Sequence, residues 1–408
     1  MIEYTLIGKT SYDGKIYFLK AEHPWEIPAI RIYVSSHFSP TKESKGFDTL
    51  SFIEYTNKGK YDSKAYVKRI LSYFHGDIGE MGNFAYYLKD ISRLTAFLTW
   101  IPIGAPRGIP GVGTEKSLRY LSAKGFVKNR KLEEELFEDY HMLRKSGVKK
   151  EDARVVLPLS TSTELILQMP PGRSVEKWAN TQEKYHGYLK EMKEIAQIVK
   201  KHNREFTGYS VPLEETSSSR FTLKKRNSMT SSVEKEEFHF DKVTNTLKAF
   251  WKAPIFSAHQ DVRNRQVYHY WPSWEEALEK KEFYIPSMLS KDQRKIVENS
   301  YNKSIENVKN LDEDSLYAIP LGMIIPYSSV ISGKENIKYT IALRTCWRAQ
   351  FEIRSRYWRL AKFLEKNGFE EKLGPRCVTE GQCFEPGKEK CPLYNHFIKK
   401  NNKTEVSL

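Results

Sequence analysis

Two stretches that share a pattern around a proline decide the fold of this chain. Residues 151–175 read EDARVVLPLSTSTELILQMPPGRSV, and residues 315–337 read SLYAIPLGMIIPYSSVISGKENI. Each has an apolar pair, then Pro-Leu, then a run of similar length, then a polar turn, and the matching prolines are Pro158 and Pro320. A helical segment precedes each stretch. This similarity indicates two related units arranged in tandem.

Length and composition restrict the class of protein. The chain has 408 residues and a mass of 47.7 kDa, which is well above the commonest domain size and favours two domains. A hydrophobic fraction of 39% is sufficient for packed cores and excludes wholesale disorder. We find no apolar run near the roughly 20 residues of a membrane span and no signal peptide, so we expect a cytoplasmic protein that does not engage a membrane.

The balance of charge indicates an anionic partner. Lys and Arg together number 66, and Asp and Glu together number 51, so the formal net charge is +15. Such an excess is typical of proteins that bind nucleic acid, nucleotides or anionic cofactors. Four cysteines are too few for a disulfide scaffold.

The pattern of apolar residues predicts a mixture of helices and strands. We predict strands at Lys15–Leu19 and Ala29–Val34, and helices at Lys131–Ser146 and Glu183–His202. The helix Ile337–Asn367 is the clearest element, and Gly368 follows it as a plausible C-terminal cap. Between the two halves, residues 201–237 are predicted to form a polar linker or mobile loop, because their second part is rich in Ser, Thr and Lys.

Four segments of the chain carry recognisable motifs. They are TEKSLRY at 114–120, ARVVLPLSTSTE at 153–164 followed by GRS, APIFSAHQDVRNR at 253–265, and LRTCWRAQFEIR at 343–354. In content and order they resemble the signature segments of the flavin-dependent thymidylate synthases, the ThyX family. Two departures are Thr114, where the family has Asn, and Asn264, where the family has His.

The resemblance implies a particular architecture. The family's usual chain is little more than half this length, so we interpret the protein as two diverged copies, 1–200 and 238–408, joined by residues 201–237. The expected fold is α+β, in which each ThyX-like domain is a sheet packed with helices. A pseudo-twofold should relate the two domains. A homodimer of this chain would then mimic the oligomer that family members form.

The two halves retain complementary parts of the family's nucleotide site, which is built across a subunit interface. The first half keeps the Glu-x-Ser-x-Arg segment and the Arg before VLP, which are Glu115, Ser117, Arg119 and Arg154. The second half keeps the Gln, the Arg-x-Arg segment and the Arg of the LR helix, which are Gln260, Arg263, Arg265 and Arg344. We therefore expect these eight residues to bind substrate in one composite site between unlike halves.

The resemblance also implies a substrate and cofactors. The family methylates dUMP reductively with FAD, NADPH and methylene-tetrahydrofolate, so the expected substrate is dUMP or a related pyrimidine nucleotide. Hydride from the flavin makes a protein nucleophile unnecessary. Guanidinium groups suit a nucleotide phosphate, and Arg344 is the expected catalytic residue because it can stabilise charge on the uracil ring. The residues expected to bind the cofactor are Arg173, Asn264, Arg265 and Arg348.

Taken singly, these residues have less specific explanations. A lone Arg is most often a surface charge, and Glu115 with Arg119 has the i,i+4 spacing of an ordinary helix ion pair. Residues 76–83 also lack the His and the Ser or Thr that the family uses for flavin. The alternative function is therefore a non-catalytic descendant that binds nucleotide or RNA.

The C-terminal region contains a weak candidate for a metal site. Cys377, Cys383 and Cys391, together with His396, could bind zinc through three thiolates and one imidazole. Their spacings are loose compared with a paired C-x-x-C motif, which favours free or buried cysteines and no metal.

Overall fold

The structure is a computed structural model that describes most of the chain. The described residues are 1–23, 25–36, 39–71, 84–100, 112–118, 121–127, 130–169, 173–207, 236–264, 267–270, 274, 282–308, 313–383, 385 and 387–397. These residues form a mixed α+β structure, which confirms the predicted class. Most of the predicted linker, from 208 to 235, lies outside the described residues.

The first sheet is antiparallel, with strand order β1-β2-β3-β5-β4. Its strands are β1 Ile2–Lys9, β2 Lys15–Ala21, β3 Phe84–Ser92, β4 Val112–Glu115 and β5 Ser162–Met169. The associated helices are α1 Glu26–Ser36, α2 Thr49–Asn57, α3 Ser63–Leu71, α4 Arg93–Thr99, α5 Lys131–Lys145, α6 Lys150–Ala153, a 3₁₀ turn Arg154–Val156, α7 Arg173–His186 and α8 Lys190–Thr207.

The second sheet is also antiparallel, with strand order β6-β7-β9-β8. Its strands are β6 Glu237–Asp241, β7 Thr246–Pro254, β8 Val267–Tyr270 and β9 Ile324–Ser332. Around it lie α9 Ile255–Asp261, α10 Lys291–Asn307, α11 Glu313–Ala318, α12 Lys334–Thr345, α13 Phe351–Lys366, α14 Arg376–Thr379, a 3₁₀ turn Lys388–Lys390 and α15 Pro392–Phe397.

The two sheets repeat the same order of elements. The order β2-β3-β5-β4 in the first sheet matches β6-β7-β9-β8 in the second. A constant offset of 162 residues separates the start of β3 at 84 from β7 at 246, and the start of α4 at 93 from α9 at 255. The same offset separates Pro158 from Pro320.

The two halves meet at a short antiparallel seam centred on the two prolines. Pro158 and Pro320 pair with each other in an isolated β-bridge. On either side, the N–H of Leu159 donates to the carbonyl of Ile319, and the N–H of Leu321 donates to the carbonyl of Leu157, both at 2.8 Å. Because each half gives a donor and an acceptor at matching positions, the seam is reciprocal.

The hydrophobic core is continuous across this seam. Its largest cluster includes buried residues of both sheets, among them Trp178 of α7 and Trp251 of β7. A second cluster lies between the first sheet and α1–α3, where the rings of Tyr33 and Phe52 stack with centroids 3.8 Å apart. Burial of large apolar side chains is the main stabilising term in such a core.

One predicted strand is wrong. Residues Ala29–Val34 belong to α1, and every one of them is buried. A short run of β-branched and aliphatic residues has no polar face, so its periodicity cannot distinguish a buried strand from a buried helix. Contact with the sheet and with the neighbouring helices decided the matter in favour of helix.

The predicted long helix Ile337–Asn367 is two helices. Cys346 follows α12 with ψ near 144°, which is extended backbone and ends the helix. Residues 347–350 form a turn, and α13 then runs to Lys366. The predicted cap is consistent with the structure, because Gly368 has φ +81° and the N–H of Phe369 donates to the carbonyl of Leu364.

Candidate functional site

One pocket lies where the two halves meet. Residues from the end of β4, the 3₁₀ turn at 154–156 and α9 form its wall. Ten residues line it: Arg93, Glu115, Ser117, Leu118, Arg154, Phe256, His259, Gln260, Arg263 and Leu321. Five of the eight residues that the sequence predicts to bind substrate are therefore together, namely Glu115, Ser117, Arg154, Gln260 and Arg263.

Glu115 ends β4 and is fully buried. Arg93, at the first position of α4, donates from Nη1 to Glu115 Oε1 at 2.6 Å and from Nη2 to the carbonyl of Lys116 at 2.6 Å. The hydroxyl of Thr163 also donates to this carboxylate, at 3.2 Å. Although burial opposes ionisation, the cations around it outweigh burial and hold the pKa of Glu115 well below its usual range. The carboxylate therefore carries a permanent negative charge.

Helix α9 presents two further groups to the same carboxylate. His259 and Arg263 are four residues apart, which places them on one side of the helix and its C-terminal extension. Nε2 of His259 lies 2.7 Å from Oε2 of Glu115, and Nη2 of Arg263 lies 3.1 Å from the same oxygen. Burial lowers the pKa of His259, against the opposing effect of Glu115, so the imidazole is neutral near pH 7.

Arg154 occupies another wall of the pocket. It begins the 3₁₀ turn and is buried, with its guanidinium 4.7 Å from the centre of the Phe256 ring. Its Nη2 donates to Oε1 of Gln350, which lies at the start of α13. The stack on Phe256 and the bond to Gln350 hold the guanidinium plane in place.

The charges of the pocket do not cancel. Arg93, Arg154 and Arg263 contribute three positive charges and Glu115 contributes one negative charge, while His259 is neutral. Within the described part of the chain, Nε of Arg263 is buried and makes no hydrogen bond. Converging guanidinium groups with a net positive charge are suited to an anionic ligand such as a phosphate.

Three of the predicted residues do not line the pocket, namely Arg344, Asn264 and Arg348. Arg344 lies at the end of α12. Its Nη2 donates to the carbonyl of Gln260 at 2.6 Å, and its Nε lies 3.6 Å from Oδ1 of Asp261. The amide of Asn264 donates to the hydroxyl of Thr340 at 2.8 Å, and Arg348 is exposed on the turn between α12 and α13.

The remaining predicted residues are only partly described. Arg119 and Arg265 lie outside the described residues, as does the side chain of Arg173 at the start of α7. Cys377 is buried, Cys383 and Cys391 are half-buried, and His396 is exposed. Where the structure describes the chain, no three His, Cys, Asp or Glu side chains are arranged to hold a metal ion.

Sequence reasoning missed two residues of the pocket, Arg93 and His259. Both face Glu115. Arg93 lies outside the four motif segments, and His259 lies within residues 253–265 but is not among the predicted site residues. The only local signal for Arg93 is its place after Ser92, a helix-capping residue whose hydroxyl accepts from the N–H of Thr95 at 3.0 Å. For His259 the signal was its position directly before Gln260.

The residues that could hold a flavin offer an incomplete set. The side-chain amide of Asn264 is bound to Thr340 and buried, so only its backbone remains for a cofactor. Arg348 is the one predicted cofactor cation whose side chain is described, and it is exposed. The described side chains therefore do not form a flavin cradle by themselves.

Fold and site together define an α+β protein with a cationic pocket between two antiparallel sheets. Residues 28–207 match the family described as thymidylate synthase complementing protein. The resemblance to the ThyX family is thereby confirmed for this segment. The chain is also similar to the flavin-dependent thymidylate synthase of Pyrococcus abyssi, with 31% identity over 157 residues, 33% of this chain and 62% of the relative.

Two further relatives have the same description. The flavin-dependent thymidylate synthase of Sulfurisphaera tokodaii is 29% identical over 133 residues, which is 30% of this chain and 51% of the relative. That of Saccharolobus solfataricus is 26% identical over 157 residues, 36% of this chain and 55% of the relative. The chain thus spans little more than half the length of these relatives. Among the described residues, no helix is long and apolar enough to cross a membrane.

Proposed function

We propose that this chain binds a pyrimidine nucleoside monophosphate, dUMP, in the pocket between its halves and methylates it reductively. One observation carries this proposal. Residues from both halves, Glu115, Ser117 and Arg154 on one side and Gln260 and Arg263 on the other, line a single cavity with a net positive charge. The relatives are named flavin-dependent thymidylate synthases, which supports the same chemistry.

The composite site follows from a tandem arrangement of two ThyX-like domains, 1–200 and 238–408. The equal strand orders and the constant offset of 162 residues support a duplication. The reciprocal hydrogen bonds at the seam support a pseudo-twofold that passes near Pro158 and Pro320. In this arrangement each half supplies the site residues that an adjacent subunit supplies in the family. One site per chain then keeps the full set of predicted substrate-binding residues.

The residues of the pocket have distinct roles in binding. Arg154 and Arg263 bind the phosphate, because two guanidinium groups can each form paired bonds to its oxygens. Glu115 is a positioning residue, since its carboxylate is shared by Arg93, His259 and Arg263. Gln260 and Ser117 provide hydrogen bonds to the sugar or the base. Arg344 holds the carbonyl of Gln260 and so orients the end of α9.

The methyl transfer requires cofactors that the family uses. A reduced flavin, when bound, would supply the hydride, with NADPH as reductant and methylene-tetrahydrofolate as carbon donor. FAD would meet the backbone near Asn264 and the guanidinium of Arg348. The side chains of Arg173 and Arg265 are the further candidates for its phosphates. An enzyme with these substrates would act in the cytoplasm, and a homodimer of the chain is the expected assembly.

A non-catalytic nucleotide-binding protein is the second candidate. The observation that favours it is that the predicted catalytic residue and one predicted cofactor-binding residue bind other groups of the protein. Arg344 donates to Gln260 and does not line the pocket, and the amide of Asn264 is bound to Thr340. A chain in which Arg344 and Asn264 are bound in this way keeps the pocket for the nucleotide but lacks an arrangement of side chains that binds the flavin.

Titration calorimetry tests binding of the nucleotide, and an assay of product formation separates the two candidates. We expect dUMP to bind the full-length protein and uridine to bind much more weakly, since uridine lacks the phosphate. Thymidylate formation is then measured with FAD, NADPH and methylene-tetrahydrofolate, with the Arg154→Ala variant as the inactive control. Product formation supports the enzyme. Binding of dUMP without product, together with no retained flavin, supports the second candidate, and no binding of dUMP contradicts both.

A further inference from the structure

Exposed aromatic side chains cluster at the turn between α12 and α13. Among the described residues, nine large hydrophobic side chains are exposed, and three of them lie at positions 343, 347 and 351. Trp347 is 44% exposed and Phe351, the first residue of α13, is 59% exposed. Neither ring lines the nucleotide pocket. Single exposed hydrophobic residues are ordinary, whereas a group of them on one surface indicates a binding site.

The guanidinium of Arg354, in the first turn of α13, lies against both rings. Its central carbon is 4.2 Å from the centre of the Trp347 ring and 5.7 Å from the centre of the Phe351 ring. Its Nη1 also donates to the carbonyl of Trp347 at 2.8 Å and to that of Ala349 at 3.4 Å. These contacts fix the indole and the guanidinium relative to each other. The three side chains therefore form one surface, which we call the aromatic patch.

The aromatic patch carries positive charge that the protein does not cancel. Arg354 donates to backbone carbonyls, and among the described residues it makes no ion pair with a carboxylate. Arg348, on the same turn, is exposed. The nearest acid along the chain is Glu352, which accepts from the hydroxyl of Tyr284. A surface with exposed rings and an unpaired cation is complementary to a partner that has flat apolar faces and negative charge.

The C-terminal segment adds a second pair of the same kind beside this turn. A Cβ placed on Gly387 would lie 3.7 Å from Nη2 of Arg348, so the loop around Gly387 lies next to the turn. Lys388 follows Gly387, and its Nζ is 5.5 Å from the centre of the Tyr394 ring. Both side chains are half-buried. A cation next to an aromatic ring thus occurs on two neighbouring elements.

Single-stranded nucleic acid has the chemistry that matches this surface. Its bases offer flat faces that stack on aromatic rings, and its phosphates offer negative charge to Arg and Lys. In a duplex the bases stack on one another, so their faces are not available to the protein. An acidic peptide would match the charge but not the exposed rings. A second copy of this chain would place cation against cation, which opposes association.

We propose that the aromatic patch binds a single-stranded polynucleotide. Bases stack on Trp347 and Phe351, and phosphates bind Arg354 and Lys388. Base faces and phosphates are common to RNA and DNA and to all four bases, so the surface binds a strand without selecting its sequence. Because the rings lie outside the nucleotide pocket, this inference does not rest on the proposed enzyme activity.

Fluorescence anisotropy of the full-length protein with a labelled single strand tests the proposal. The probe is an oligothymidylate of about 12 nucleotides, which lies within the range of site sizes for such surfaces. We expect it to bind with an affinity that falls as the salt concentration rises, because phosphate contacts release counterions. The same strand annealed to its complement should bind more weakly. Inorganic polyphosphate, which has the charge without the bases, should compete poorly.

Substitutions at Trp347 separate stacking from simple apolar contact. Trp347→Leu keeps an apolar side chain but removes the ring, and it should weaken binding of the strand about tenfold. Trp347→Phe keeps a ring and should bind nearly as wild type does. Arg354→Gln should weaken binding and reduce its dependence on salt. Tyr188→Leu, which removes an exposed ring from the first half, is the matched control and should have no effect.

Four outcomes would overturn the proposal. They are equal binding of polyphosphate and the strand, equal affinity of Trp347→Leu and wild type, loss of binding in the pocket variant Arg263→Ala, and preference for phosphatidylserine vesicles over the strand. The third would place the strand in the nucleotide pocket, and the fourth would assign the patch to a membrane surface. The comparison of strand, duplex and polyphosphate uses wild type alone, so it stands whether or not a variant folds. Binding of dUMP to the pocket is measured separately and does not change these results.

Discussion

Glu115 shows at the scale of one residue how the site depends on a buried charge. Replacing it in Glu115→Gln leaves Arg93 and Arg263 facing each other without their shared anion. Removing one partner of a buried ion pair costs about 3–5 kcal/mol, so we expect a loss of this size in the free energy of unfolding. Urea denaturation measures it. The matched change Glu205→Gln, at an exposed pair with Lys201, should have almost no effect.

Substitutions of arginines at and near the pocket should weaken binding of dUMP to different extents, according to where each side chain lies. Arg154→Ala removes a guanidinium that lines the cavity, and we expect it to weaken binding of dUMP by about 1.5–3 kcal/mol, the scale of a charge-assisted bond. Arg344→Ala acts from outside the pocket, through the carbonyl of Gln260 and the carboxylate of Asp261, and should weaken binding less. Calorimetry on these variants and on Arg359→Ala, a surface control paired with Glu236, gives the comparison. Equal affinity of Arg154→Ala and wild type would contradict the site.

At the scale of elements, the seam between the halves leaves no room for a side chain at Gly322. Its N–H donates to the carbonyl of Val155 at 2.9 Å, and an added Cβ would lie 2.9 Å from that oxygen and against the hydroxyl of Tyr301. We expect Gly322→Ala to lower the free energy of unfolding by about 1–3 kcal/mol, as overpacking does.

The control for this change is Gly125→Ala. A Cβ at Gly125 meets nothing within 4 Å, so its stability should stay within about 0.5 kcal/mol of wild type. Thermal and denaturant unfolding of both variants measure the difference. If the two variants are equally stable, the contact between the halves at this point is looser than the structure has it.

Two buried histidines, His186 and His269, make the stability of the molecule depend on pH. Burial lowers the pKa of His186 and of His269 to about 4. The unfolded chain takes up their protons near pH 6.5, whereas the folded chain takes them up only near pH 4, so stability falls as the pH drops between these values. Each histidine should cost about 2 kcal/mol between pH 7 and pH 5.

The carboxyl of Asp152 changes the stability in the opposite direction over the same pH range. Burial raises the pKa of Asp152 to about 6, so its protonation in the folded state adds stability as the pH falls. This group is partly exposed and its effect is smaller than that of the two histidines together. We expect a net loss from pH 7 to pH 5 in urea denaturation, and His186→Gln should reduce it. If the free energy of unfolding is the same at pH 7 and pH 5, these histidines are not desolvated in the folded state.

Local pattern was sufficient for several elements. The alternation in β2 and the periodicity of α5 depend on neighbours two to four residues away, so both could be predicted almost to their ends. The proline-centred stretches likewise indicate a repeat from local pattern alone. The family motifs also predicted residues that line the pocket, including Ser117 and Gln260. A motif is recognised from the types of its residues and their order along the chain, which the sequence contains.

Other features depend on contacts between distant parts of the chain. Residues Ala29–Val34 are helical because the sheet covers them, and no local pattern contains that information. The break after Cys346 and the turn of Asn264 towards Thr340 are likewise set by packing.

The sequence by itself determined the α+β class, the resemblance of residues 28–207 to the ThyX family and the five predicted residues that line the pocket, because these rest on local periodicity and on residue types in a fixed order. Only the tertiary structure decided that Arg93 and His259 share one carboxylate with Arg263. Electrostatic and ligand clusters join residues far apart in the chain, and their membership depends on distances that no stretch of sequence encodes.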